Sequence, residues 1–536
     1  MTTIQRLRAF RPTDKLNAWL ITIVITLFAF VIRLVNLAFP NRLIFDETYY
    51  AKDGWTLIHL GYEGEWPKTA VAQSGYNFAA QEVGQELPVN DLIIQGQVND
   101  YQTAAEYVVH PPLGKWLIGL GEQIFGMNSF GWRISACVFG ALLVFFTIRM
   151  ARRLSRSTLV GALAGLFITV DGLAFTMSRV ALLDIFQATF LIAAVCCCLA
   201  DRDYYRERLA RKLEAANLPD FGGEFGPYIW LRPWRLAAGV MFGCAIAVKW
   251  NSVYLLAAMG ILSVWWDCMA RRLAGAEWKS FLAIIKDGIP AFVRMVVVAA
   301  GVYVASWTGW FLTSGGYDRQ WGYQNPADPI TKAVGPDIAG WVKYHIQAYE
   351  FHTGKYMMQE ATHSYESNPF SWFFVIRPTA MDAINGIKPG TDGCPADATS
   401  DCLRVINGMG TPILWWAATI ALVVCVVWWI GDRDWRFGLP VIGTLAMWLP
   451  WVQYMGRPTF YFYSICFIPF MATGLAMCLG LALGAKNSKH RFRNGLLVTA
   501  LVALIVADFA FIYPIVSDGL LTRAAWQLRI WLPGWV

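Results

Sequence analysis

The chain alternates between long apolar runs, short basic stretches and two long polar segments. A bilayer-crossing helix needs roughly 20 apolar residues. Such runs fall near 17–38, 130–150, 157–173, 180–200, 235–252, 253–270, 290–312, 410–430, 437–454, 459–483 and 494–514. The pattern predicts an all-α polytopic membrane protein with about eleven transmembrane helices. The third and fifth runs are short, as spans that tilt or end early would be. Two long segments interrupt the series, 39–129 and 313–409. In the first, Glu47–Leu60 has the pattern of an amphipathic helix lying on the membrane, and Leu113–Phe125 is apolar but too short to cross, a second interfacial helix. Its middle, 61–106, is rich in Gly, Gln and Asn and is expected to be partly disordered. Three regions follow: 1–312, an N-terminal transmembrane module; 313–409, an outer loop; and 410–536, C-terminal transmembrane helices with a short tail.

Lys and Arg orient the array. They concentrate at Arg6, Arg8, Arg11 and Lys15; at Arg149–Arg156; between Arg202 and Arg235; at Arg271, Arg272, Lys279 and Lys286; at Arg433 and Arg436; and from Lys486 to Arg493. These are alternate loops, and the positive-inside rule assigns them to the cytoplasm. The N-terminus is then cytoplasmic, and both long segments and the C-terminus are extracytoplasmic. The basic N-terminus followed by an apolar run has the look of a signal peptide. The run is long and lacks a small-x-small cleavage site, so it is read as a retained span.

Composition sharpens this picture. Of 536 residues, 56% are hydrophobic and 15% charged, against about 25% charged in an ordinary soluble domain. A net charge of +7 is small for this length. Basic loops beside anionic lipid account for it, so membrane lipids are implied as partners and nucleic acid is not. Nine of the eleven Cys lie in or beside predicted spans. The other two, Cys394 and Cys402, share an outer segment, where an oxidising compartment predicts a disulfide. The six His are scattered without metal-ligand spacing, so no metal site is expected.

Four cations sit at the outer ends of spans, against the rule: Arg133, Arg179, Lys249 and Arg457. Such a group costs roughly 2.5–3.5 kcal/mol near mid-bilayer and less at the interface. Together they point to an anion at headgroup depth, such as a lipid phosphate. The alternative is that each snorkels or meets a carboxylate: Arg179 is five residues from Asp184, and Asp171 could serve Arg179 or Lys249. Asp46 and Glu47 follow the first span directly. Asp46 reads equally as the N-cap of the following helix and as a general base, since a capped carboxylate is also held in place. In His110-Pro-Pro-Leu-Gly-Lys-Trp116, Pro-Pro imposes an extended approach and Gly114 permits close backbone packing, so His110 and Lys115 are either turn ends or substrate contacts. In the second long segment, His363 stands among hydroxyls and aromatics that either anchor the loop or stack on substrate.

These blocks together resemble the protein O-mannosyltransferases. The resemblance rests on Phe-Asp-Glu-Thr-Tyr-Tyr-Ala (45–51), His-Pro-Pro-Leu-Gly-Lys (110–115), Ser-Arg-Val-Ala-Leu-Leu-Asp-Ile-Phe (178–186), Val-Lys-Trp-Asn (248–251) and Thr-His-Ser-Tyr-Glu-Ser-Asn-Pro-Phe-Ser-Trp (362–372), and it extends to Arg457-Pro-Thr-Phe460. Segment 313–409 is too short for the β-trefoil domain of the eukaryotic relatives, so a bacterial form in the plasma membrane is implied. The resemblance implies the GT-C glycosyltransferase fold with its active site on the outer face. It implies transfer of mannose from polyprenyl-phosphate-mannose to Ser or Thr of secreted or membrane polypeptides, with inversion, and an encounter with substrate at the secretion translocon. Asp46 would be the base, and Glu47 would orient the acceptor or a second active-site segment. Arg133, Lys249, Arg457 and Arg179 would receive the donor phosphate, and His110, Lys115, Asp184 and His363 would contact or position substrate. No cofactor beyond the lipid-linked donor is expected; other GT-C enzymes do use a divalent ion. A GT-C transferase with a lipid or glycan acceptor, such as an aminoarabinose transferase, is the alternative, although its second motif reads more like Lys-Pro-Pro-Leu-x-Tyr-Trp. A transporter or flippase is disfavoured by the lack of internal repeats and by charges gathered at one face.

Overall fold

Long apolar runs fold as helices because a backbone removed from water must satisfy its polar groups within the segment. The computed structural model describes residues 2–8, 12–485 and 487–536; Arg11 and Lys486 of the basic stretches lie outside them. Among the described residues, six helices are long and apolar enough to cross a membrane: Lys15–Leu34, Ser129–Ser155, Leu183–Ala215, the run Ser252–Ser306, Pro412–Gly431 and Arg491–Val516. Shorter apolar helices occupy Thr158–Thr169, Pro233–Ile246 and Ile468–Leu483. The Ser252–Ser306 run takes in two predicted spans and leaves helical geometry at Gly275, whose φ is 92°. Trp435–Gln453 carries Pro440 and Pro450 inside it.

Burial separates the centre of the bundle from its periphery. The apolar window of Leu183–Ala215 is 83% buried, whereas that of Lys15–Leu34 is 17% buried. On the latter helix Leu16, Val24, Leu27 and Val31 are exposed while Arg33 is fully buried. Exposed apolar side chains in this number would be a liability in water and face lipid in a membrane protein. The buried Arg33 is satisfied by the Ser178 hydroxyl and by the carbonyls of Ala29 and Ile168.

Glu47–Leu60 and Leu113–Phe125, expected at the interface, both form helices. They cross closely at glycines: a Cβ on Gly119 would meet the Gly54 carbonyl oxygen at 2.3 Å.

Two expectations need correction. Segment 61–106 is ordered. Thr69–Val71 pairs antiparallel with Glu86–Pro88, and the helix Val89–Ile94 buries Val89, Leu92 and Ile93. The Gln97 side chain accepts from Gln73 N–H at 2.9 Å and donates to the Val71 carbonyl at 3.0 Å. A few apolar anchors and side-chain-to-backbone bonds thus order a stretch whose composition reads as loose. The fold is also not all-α. Thr379–Ile387, Cys402–Gly408 and Leu521–Thr522 form a three-stranded antiparallel sheet. The disulfide Cys394–Cys402 closes the hairpin between its first two strands, and Arg42 pairs with Asp382 to tie the segment after the first span to it.

Candidate active site

Asp46 and Glu47 begin the first interfacial helix and part company at once. Glu47 is fully buried. Its carboxylate takes two N–H groups of Arg133, both at 2.8 Å, and the backbone N–H groups of Ala181 at 3.0 Å and Ile44 at 3.1 Å. Arg133 gives its remaining donors to the carbonyls of Leu37, Pro40 and Arg42. The pair is therefore saturated. It binds the end of the first span, the start of Ser129–Ser155 and the turn before Leu183–Ala215. Arg133 is 1% exposed with no donor left for a phosphate, which corrects its assignment as a donor ligand and removes Glu47 from direct contact with substrate.

Arg179 is turned to the backbone through three of its five N–H groups and is not in the wall of the cavity that Lys249 and Arg457 line, which speaks against the phosphate role expected of it. Its guanidinium donates to the carbonyls of Arg33 and Val35, both at 2.6 Å, and of Asn36 at 2.9 Å, finishing the last turn of the first span. It pairs with neither Asp184 nor Asp171. Asp171 instead accepts from the N–H groups of Ala174 and Thr411 and from the Trp415 indole. Lys115 is wholly buried and engaged by Glu63, with Asp53 at 3.6 Å, so it braces the interfacial helices and is not open to substrate.

Asp46 is different. It occupies the N-cap position, yet its side chain makes no capping bond. Among the described residues its carboxylate accepts no hydrogen bond. Burial, with Asp184 adding to it and Lys249 opposing, lifts its pKa to about 6. Lys249 closes the turn after Pro233–Ile246, donates to Asp184 at 2.7 Å and lies 5.1 Å from the Tyr463 ring centre. Phe45 packs edge-on against Phe462, 5.8 Å between centres, which seats Asp46 on the segment that carries Tyr463.

Lys249 and Tyr463 open onto a cavity of about 210 Å³ with His110, Trp250, His352, Tyr454 and Arg457 in its wall. All three sequence regions contribute to it. Local packing explains how. Leu113 N–H donates to the Ala247 carbonyl at 3.0 Å, fastening the Pro-Pro turn beside Lys249. A Cβ on Gly114 would meet the Leu183 side chain at 2.7 Å, so a larger residue there would have to displace Leu183. The Tyr344 hydroxyl donates to the Val108 carbonyl at 2.8 Å just upstream. Trp250 donates to the Tyr303 hydroxyl at 2.9 Å.

His352 stacks on His110 with ring centres 5.4 Å apart. Its Nε2–H donates to the Val109 carbonyl at 3.2 Å, leaving Nδ1 to accept from Arg457 Nη1 at 3.2 Å. Burial first, then Arg457, lowers the His352 pKa to about 4, consistent with this neutral tautomer. Burial and the surrounding cations also hold His110 well below its ordinary value. The same Arg457 nitrogen reaches the His352 carbonyl at 3.3 Å, while the Arg457 Nε is buried and has no partner among the described residues. Of the four anomalous cations, Lys249 and Arg457 line the cavity.

His363 is exposed and stands outside this wall. Its Nδ1 accepts from Tyr365 N–H at 3.1 Å, and its ring meets Phe460 edge-on at 4.9 Å. Sequence reading missed His352, Tyr463 and the cavity aromatics, because no charge or motif marks them. Among the described residues no group of three or more His, Cys, Asp or Glu could hold a metal ion.

Known proteins resemble this chain in sequence and in fold. The family model described as dolichyl-phosphate-mannose-protein mannosyltransferase matches residues 89–214. A polyprenol-phosphate-mannose–protein mannosyltransferase of Mycolicibacterium smegmatis is 33% identical over 541 residues, spanning 98% of this chain and 94% of the relative. Its namesake in Mycobacterium tuberculosis is 33% identical over 98% of this chain and 93% of the relative. Among solved structures, the Saccharomyces cerevisiae Pmt1-Pmt2 complex bound to the sugar donor shares the fold at a TM-score of 0.68 and 14% identity, covering 99% of this chain and 94% of that one. With the fold and near full-length identity in accord, the chain belongs to the polyprenol-phosphate-mannose–protein mannosyltransferase family.

Proposed function

We propose that the protein transfers mannose from polyprenyl-phosphate-mannose to a Ser or Thr hydroxyl of a polypeptide, with Asp46 as general base and Arg457 and Lys249 as the phosphate site. A Ser or Thr hydroxyl is a poor nucleophile until its proton has somewhere to go. Asp46 is not itself in the cavity wall, but its unbonded carboxylate interacts electrostatically with Lys249 and Tyr463, which are. As the hydroxyl oxygen bonds to the mannosyl anomeric carbon, the bond to the phosphate oxygen breaks and the leaving group gains a negative charge. Two positive side chains already in place stabilise that charge without reorganising, the main catalytic device open to such a site. A single displacement inverts the anomeric centre. The observation that carries this reading is an Asp46 carboxylate that accepts no hydrogen bond among the described residues and lies close enough to interact electrostatically with Lys249 and Tyr463, which line the cavity with Arg457.

Glu47 and Arg133 act as a positioning pair. Asp184 holds Lys249 in place, His110 lines the donor pocket, and His363 sits on the outer loop where an acceptor polypeptide would pass. In this reading the charge work falls to Arg457 and Lys249, and no metal ion is needed. About eleven spans, the division at 312 and 409, a bacterial plasma membrane, an extracytoplasmic site and an approach to the translocon complete the proposal.

Purified protein in detergent, given polyprenyl-phosphate-mannose and a Ser/Thr peptide, should mannosylate the peptide and not a lipid acceptor, with no membrane gradient and with EDTA present. Transfer to lipid alone would overturn the acceptor. Activity lost to EDTA and restored by Mg²⁺ or Mn²⁺ would overturn the metal-free chemistry.

A further inference from the structure

Helices that brace the active site through Arg133 and Asp184 converge at their other ends on a second, larger cavity of about 480 Å³. Arg133 and Arg149 lie on one helix, sixteen residues apart, as do Asp184 and Ala200 on another. At 1.5 Å per residue the two sites are separated by roughly 24 Å, so one phosphate cannot serve both.

Seven side chains lining this second cavity are Lys or Arg and two are carboxylates. Asp203 is shared between Arg153 at 3.3 Å and Arg156 at 2.7 Å. Arg149 differs from these. Its guanidinium lies over the Trp19 ring, 3.9 Å from the centre, and its Nη1 is buried without a hydrogen-bond partner among the described residues. A buried N–H of a cation left unbonded is costly unless a ligand meets it. Stacking holds the guanidinium plane and leaves its edge for bidentate contact with an oxyanion.

The rim indicates the source of that oxyanion. Trp19 and Trp234 line the cavity and are 45% and 46% exposed, with Leu16, Leu20 and Leu236 exposed near them in the chain. Tryptophans with one apolar and one polar side belong at the level of lipid headgroups. A soluble phosphate compound would gain nothing from such a rim, whereas acyl chains would. We propose that this cavity binds the phosphate of an anionic glycerophospholipid, at the membrane face opposite the active site. The inference rests on the chain being a membrane protein and not on the transfer chemistry.

Native mass spectrometry of the purified protein with phosphatidylglycerol or phosphatidylcholine tests it. The wild type should retain phosphatidylglycerol preferentially, and inorganic phosphate should not displace it. Lys15→Gln with Arg149→Gln should weaken retention about tenfold or more, as expected for two cations lost beside an anionic headgroup. Arg433→Gln, an exposed cation elsewhere, should not. An unchanged thermal midpoint in phosphatidylcholine and unchanged mannosyl transfer would show that the double variant folds; if it does not fold, Lys15→Gln alone replaces it. Equal retention of the two lipids, or full phosphatidylglycerol retention by the variant, overturns the site. Displacement by inorganic phosphate overturns the lipid as its ligand.

Discussion

A carboxylate that already accepts four hydrogen bonds cannot take a substrate proton without dismantling its own surroundings. Glu47 is in that position; Asp46, next to it in sequence, is not. The two should therefore fail differently. Asp46→Asn should abolish transfer while keeping the thermal midpoint at or above that of the wild type. Its folded-state pKa of about 6 lies above the ordinary carboxylate value, so the folded protein holds the proton more tightly. The ionised group then costs stability as pH rises from about 4 to 6, and the full cost remains above that window. By the same pKa, wild-type kcat/KM should fall as pH drops below about 6, which a pH–rate profile reads directly. A fully active Asp46→Asn enzyme would remove it as the base. Glu47→Gln should instead lower the thermal midpoint and yield, because breaking a buried ion pair by losing one partner costs about 3–5 kcal/mol. At the phosphate site, Arg457→Ala should reduce kcat/KM for the lipid donor by about 10–100-fold, the worth of a charged hydrogen bond, with little change in peptide KM. His352→Ala should add less in the Arg457→Ala background than alone, since its imidazole acts by holding that guanidinium. Additive losses would separate the two residues.

At the scale of elements, the amphipathic and apolar patterns carried far. Glu47–Leu60 and Leu113–Phe125 are helices over the residues their periodicity marked, and the long apolar runs are largely helical. The sheet escaped notice because its strands are short and its third member, Leu521–Thr522, joins from the far end of the chain. No local pattern reports a pairing across more than a hundred residues. The ordering of 61–106 escaped for a similar reason, since its anchors act through tertiary burial while its composition is that of a loop. The disulfide Cys394–Cys402 pins the second sheet's hairpin, and closing so short a loop in the unfolded chain is worth about 2–3 kcal/mol. Cys394→Ser should make residues 388–401 susceptible to limited proteolysis while leaving the membrane bundle intact. Equal cleavage of the oxidised wild type and the variant would deny the bridge a stabilising role.

For the whole molecule, the proposed orientation can be read in intact cells. With background thiols controlled, Tyr49→Cys, at an exposed position on the first interfacial helix, should react with a membrane-impermeant maleimide. Asn217→Cys, beyond the far end of Leu183–Ala215, should react only after lysis. The reverse pattern would place Asp46 in the cytoplasm and end the proposal for secreted acceptors.

What the sequence by itself determined follows from short-range rules. Apolar run length set the membrane class, Lys and Arg placement set an expected orientation, and the ordered blocks from 45 to 372 identified the family. Asp46 and His110 could be singled out because unusual residues at span ends must be accounted for locally. Which cations face the cavity was decided by tertiary structure. Arg133 and Arg179 look like Lys249 and Arg457 along the chain, yet three-dimensional packing turns the first two toward carboxylate and carbonyl partners away from the cavity, while Lys249, paired with Asp184, and Arg457, bonded to His352, line it. Burial makes an unpartnered polar group expensive, so each guanidinium's role depends on the acceptors the fold brings to it, and no sequence spacing encodes that.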